Sequence, residues 1–120
     1  MQKIIGNTRR PDITFYKSGR IDITARVAKL LDINEGDVID IATDGMEYYL
    51  MVERSGKNVV GRHEGRCYKT YGGNCRNMRA YSVRLARAVL KSGDILRLPV
   101  GEVEERDGQR YLPIIVRRRL

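Results

Sequence analysis

Residues able to do chemistry are few in this chain of 120. His63 is the only histidine, so any histidine general base would have to be that residue. It sits in Gly61-Arg62-His63-Glu64-Gly65, a basic stretch between glycines that suits solvent or a phosphate better than proton transfer. Cys67 and Cys75 lie near it, but together they make three donors where a closed zinc site takes four, and no Cys-x-x-Cys pair is present. Two cysteines are too few for a disulfide framework, and a cytosol would keep them reduced. Cys67, beside Arg66, is either a thiol of lowered pKa or an inert strand cysteine, the commoner case. Glu104 and Glu105 are neighbours, and adjacent strand residues face opposite ways, so they would not share a substrate. No GxxxxGK[ST] phosphate loop occurs, and Gly72-Gly73 reads as a turn. The expectation is no catalysis, no cofactor and no metal.

Charge is more informative. Residues 1–60 carry nine Lys or Arg and nine Asp or Glu, so the net +8 resides wholly in residues 61–120. Between 61 and 91, Arg62, Arg66, Lys69, Arg76, Arg79, Arg84, Arg87 and Lys91 face Glu64 alone. That asymmetry is the electrostatic footprint expected of a polyanion partner. Tyr68, Tyr71 and Tyr81 interleave with these cations, as on a surface that tracks a nucleic-acid backbone. Equally, Tyr68 and Tyr81 could fill the interior of the fold.

The elements that position these residues follow from periodicity. Ile13 and Phe15, then Ile21 and Ile23, alternate with polar residues around a Lys17-Ser18-Gly19-Arg20 bend, the pattern of two half-buried strands. Thr24 can cap a short helix in which Val27, Leu30 and Leu31 share one face, with Arg26 and Lys29 outside. Gly36-Asp37 turns into a strand at Val38 to Ile41, and Asp44-Gly45 leads to another at Tyr48 to Glu53. The second half replays this order. Tyr68 to Tyr71 and Met78 to Tyr81 are strands, Ser82 a cap, and Arg84 to Leu90 a helix with Arg84, Arg87 and Lys91 in one stripe. Gly93-Asp94 then precedes a strand at Ile95 to Leu98, and a hairpin around Asp107-Gly108 closes the chain. Residues 1–12 are expected to be a flexible basic arm and 13–120 one domain of two repeats, 13–60 and 61–120.

Gly19-Arg20-Ile21-x-Ile23, the Val27 to Leu31 helix and Gly36-Asp37-Val38-x-x-Ile41, in this order, resemble the AbrB/MazE/SpoVT family of swapped-hairpin barrels. The resemblance covers about a quarter of the chain directly. It implies a mainly β (α+β) fold, in which two β-β-α-β-β units interlock. Here both units would come from one chain, giving a pseudo-symmetric swapped-hairpin β-barrel with two short helices. It also implies that Arg20 and Lys29 occupy DNA-contacting positions. Thr24 stands where the family often has Pro, and Ala28 where it has a second helix Arg.

The resulting expectation is a bacterial, cytoplasmic DNA-binding protein, a transcriptional regulator or mobile-element accessory protein. It would bind duplex DNA in preference to RNA through Lys17, Arg20, Arg26, Lys29, Arg62, Arg66, Lys69, Arg76, Arg79, Arg84 and Arg87. The alternative is a non-enzymatic interaction module, antitoxin-like or structural. The acidic tail of such antitoxins is not seen, since the chain ends Arg117-Arg118-Arg119-Leu120. A monomeric barrel and a homodimer both remain open. At 42% hydrophobic and 32% charged, with no apolar run near the ~18 residues of a spanning helix, no membrane partner is expected.

Overall fold

The structure, a computed structural model, describes residues 11–53, 64–70 and 77–116. Residues 1–10 of the predicted 1–12 arm, and Arg62, His63, Tyr71, Cys75 and Arg76, lie outside them.

The chain runs β1 (Ile13–Tyr16), β2 (Arg20–Ile23), α1 (Ala25–Leu30), β3 (Val38–Thr43), β4 (Tyr48–Glu53), β5 (Tyr68–Lys69), β6 (Met78–Tyr81), α2 (Val83–Leu90), β7 (Ile95–Leu98), β8 (Glu104–Arg106) and β9 (Gln109–Ile114). The fold is mainly β with two short helices. All named strand pairs are antiparallel, in a five-stranded sheet of order β5-β6-β2-β1-β7 and a four-stranded sheet of order β3-β4-β9-β8. The two halves of the sequence do not keep to separate sheets. β1 and β2 pair with β6 and β7, and β4 pairs with β9, so each half completes both sheets. One apolar cluster joins them, from Phe15, Ile21 and Met78 through Ala28 and Ala86 to Leu50 and Leu112.

Two isolated bridges, Val38 with Arg66 and Val100 with Ile114, hand each edge of the larger sheet to the smaller one. The Ile39 N–H donates to the Gly65 carbonyl at 2.9 Å and the Cys67 N–H to that of Asp37 at 2.7 Å. At the other seam the Gly101 N–H donates to the Pro113 carbonyl at 2.8 Å. The continuous barrel expected from the sequence is therefore not what the ladders form. Among the described residues each seam is carried by a single bridge instead of a strand-long ladder, so pairing runs as two sheets.

The halves also cap one another. Ser82 donates its N–H to the Gly19 carbonyl at 2.8 Å, seating the β1–β2 turn on the start of α2. Gly19 is required there, because its φ is +102° and a Cβ would lie 2.9 Å from Val83 Cγ2. In return, Asn77 Oδ1 accepts the Ala25 N–H of α1 at 2.7 Å. Thr24 and Ser82 are the expected N-caps, accepting from Val27 and Leu85.

Two expectations need correcting. Asp12, assigned to the arm, is 5% exposed, donates its N–H to the Leu98 carbonyl, and accepts from Arg26 and the Val100 N–H. The repeat is also out of phase between strand and cap. Thr24 follows the inward-facing Ile23, whereas Ser82 follows the outward-facing Tyr81. The ladder places Ile21 opposite Ala80 and Ile23 opposite Met78, keeping four apolar side chains on one face despite the one-residue difference.

Candidate nucleic-acid interface

Strand alternation sends Ile13, Phe15, Ile21, Ile23, Met78 and Ala80 into the core, so their neighbours form the outer face of the five-stranded sheet. Cross-strand register then fixes which of these touch. Tyr68 stands opposite Arg79, Arg79 opposite Asp22, Asp22 opposite Thr14, and Thr14 opposite Arg97, one row across all five strands. A second row sets Tyr81 opposite Arg20 and Tyr16 opposite Ile95.

Asp22 holds this face together. Arg20 donates through Nε at 3.1 Å and Nη2 at 2.7 Å, and Arg79 through Nε at 2.8 Å. Burial alone would raise the Asp22 pKa, but the hydrogen bonds from Arg20 and Arg79 outweigh it and the carboxyl is held below its ordinary value. The same bond raises the Arg20 pKa. The Arg20 guanidinium lies over the Tyr16 ring, 4.5 Å from its centroid. The Tyr68 and Tyr81 rings lie 6.2 Å apart and 22° from parallel, and are 39% and 47% exposed. Burial and the adjacent Tyr81 hydroxyl push the Tyr68 phenol up. Neither tyrosine fills the interior. Beside Arg79, a small hollow of about 120 Å³ is lined by Thr14, Asp22, Thr24, Thr70 and Asn77.

The remaining sequence-derived cations divide into two kinds. Three are engaged by their own chain. Arg26 pairs with Asp12 at 3.0 Å, Arg84 with Glu64 through Nε at 3.0 Å, and Arg66 donates to the Gly36 carbonyl at 2.7 Å. Arg66 thereby ties the β3 turn to the seam, and Glu64 raises the Arg84 pKa. Lys17, Lys29, Lys69 and Arg87 are exposed. Lys91 leaves the α2 stripe, its Nζ standing 5.9 Å above the Tyr48 ring. Among the described residues, Arg20 and Arg79 are thus the two predicted cations brought together directly, and they come from different halves.

Tyr16, Asp22 and Arg97 belong to the same face and were not singled out by the sequence. Their signal was parity: each alternates with core residues, Tyr16 after Phe15, Asp22 between Ile21 and Ile23, Arg97 between Leu96 and Leu98. Cys67 is 1% exposed, and burial, then the Asp37 charge, pushes its thiol up to about 12, the opposite direction to a thiol lowered by Arg66. Among the described residues no group of His, Cys, Asp and Glu could hold a metal. No described helix is long and apolar enough to cross a membrane. Compared with family models, curated proteins and solved structures, the chain matches none.

Proposed function

We propose that this chain is a non-enzymatic DNA-binding protein that engages the phosphates of duplex DNA through its cationic exterior. One observation carries the reading: Arg20 and Arg79, contributed by opposite halves, converge on one face of the sheet that no other described element covers. Exposed Lys29 and Arg87 add cations at matching positions on the two helices, each three residues after the helix-start arginine. Phosphate contacts of this kind give affinity and register without sequence readout.

The sequence likeness to AbrB/MazE/SpoVT proteins agrees with such a role. On that reading the two interleaved sheets are a tandem, unclosed variant of the swapped-hairpin arrangement within one chain, and the protein serves as a cytoplasmic regulator or mobile-element accessory factor. The halves' shared sheets and reciprocal capping support the tandem arrangement.

The test is a salt titration of duplex binding. With about five phosphate contacts, the log–log slope of affinity against salt is near −4.5. Lys29→Ala and Arg87→Ala each flatten it by about 0.9 and weaken binding similarly on every sequence. A flat response, or no binding at low salt, refutes the proposal.

A further inference from the structure

We infer that the outer face of the five-stranded sheet also takes unpaired nucleotides, stacking bases on its aromatic side chains. This rests on the nucleic-acid reading above and names a second ligand class for the same face. Three tyrosines from three strands, Tyr16, Tyr68 and Tyr81, stand on it between Arg20, Arg79 and Arg97. A duplex buries its bases and offers such rings only phosphate and groove edges, whereas a single strand offers π-faces. Phosphate binding alone uses a tyrosine's hydroxyl and not its ring, whereas the Tyr68 and Tyr81 residues are 39% and 47% exposed.

The geometry suits stacking in two ways. The Tyr68 and Tyr81 rings are near parallel, and both residues are exposed. Arg20 is held by its bonds to Asp22 with its guanidinium carbon 4.5 Å from the Tyr16 ring centroid, an ordered cation on which a base can lie. Five strands spaced ~4.8 Å apart span about 19 Å, room for roughly four nucleotides, the low end of site sizes for sheet-type binders. The cations then meet the phosphates between successive bases.

The experiment compares a fluorescently labelled thymidine oligonucleotide with a blunt duplex of equal length by anisotropy, using the full chain. With no Trp among its residues, the protein's intrinsic tyrosine fluorescence gives a second reading. The single strand is expected to bind and quench that fluorescence. Tyr81→Ala weakens its binding on the order of tenfold, and Tyr68→Ala with Tyr81→Ala weakens it further, while the Phe replacements stay within about twofold of wild type. Duplex affinity changes little in all four. Thermal melts exclude unfolding, and the Phe variants keep the test valid where an Ala variant fails to fold. Duplex binding without single-strand binding overturns this inference and leaves the DNA-binding proposal standing. Single-strand binding that is indifferent to both rings, or gives no quenching, overturns it as well. No binding of either ligand overturns both.

Discussion

Replacing Asp22 with Asn separates the structural use of the sheet-face arginines from their use as cations. In the folded protein one carboxylate accepts from two guanidiniums, with side chains 27% (Asp22), 35% (Arg20) and 30% (Arg79) exposed. An isolated surface pair is worth up to about 1 kcal/mol, so losing the shared carboxylate is expected to cost about that much and lower the melting temperature by ~4 °C. The sign of the pH dependence follows from the lowered pKa. Asp22's contribution is complete above its ordinary value of 3.8 and disappears as pH falls through the lower folded-state value. The stability gap between wild type and variant should therefore be constant near neutrality and close on acidification. Duplex affinity should move the other way. Net charge rises by one, and Arg20 and Arg79 no longer share their charge with a carboxylate, so the salt slope steepens by about 0.9. Melts across pH, paired with anisotropy at two salt concentrations, read both effects. A variant that binds duplex more weakly than wild type, or a stability gap unchanged at low pH, refutes the account of this face.

Two further outcomes test how the halves are joined. Gly19→Ala and Gly45→Ala both place a side chain at positive φ, but only at Gly19 does the new Cβ meet a neighbour, Val83 Cγ2 at 2.9 Å. By urea unfolding, Gly45→Ala should cost about 1–2 kcal/mol for the backbone alone, and Gly19→Ala roughly 1–2 kcal/mol more; equal losses would mean the turn is not seated on α2. A peptide covering residues 11–60 should show no cooperative melt by circular dichroism, because β1, β2 and β4 find partners in the second half. A folded, cooperative half would contradict the interleaved sheets.

Local structure was largely legible in the sequence, because each signal was local. Alternation at Ile21 and Ile23, caps at Thr24 and Ser82, and the Asp44-Gly45 and Asp107-Gly108 turns correspond to the elements observed. Sheet partners were not legible, since register between distant strands depends on how two apolar faces meet. The phase slip at Tyr81 shows why. A repeat aligned on its caps places Ile21 against Arg79, yet one faces the core and the other solvent. For the same reason Tyr81 was undecided between interior and surface until the ladder set it opposite Arg20. Tyr16, Asp22 and Arg97 carry no signal from charge clustering, because none lies in the basic segment 61–91. They reach it only across strands.

The ion pairs change what the net charge means. Arg26 and Arg84 occupy equivalent first-turn positions, where a cation is disfavoured by the helix dipole. Each is answered by an acid ahead of its unit's first strand, Asp12 in one half and Glu64 in the other. That repetition assigns both arginines to holding helix against strand. The helix stripe seen in the sequence then reduces to Lys29 and Arg87, and the proposed polyanion contacts shift to the sheet, where Arg20 and Arg79 share a single carboxylate and Arg97 stands exposed at the end of the row. Formal charge counted along the chain thus overstates the phosphate contacts available, and the salt slope is the quantity that counts the cations left free.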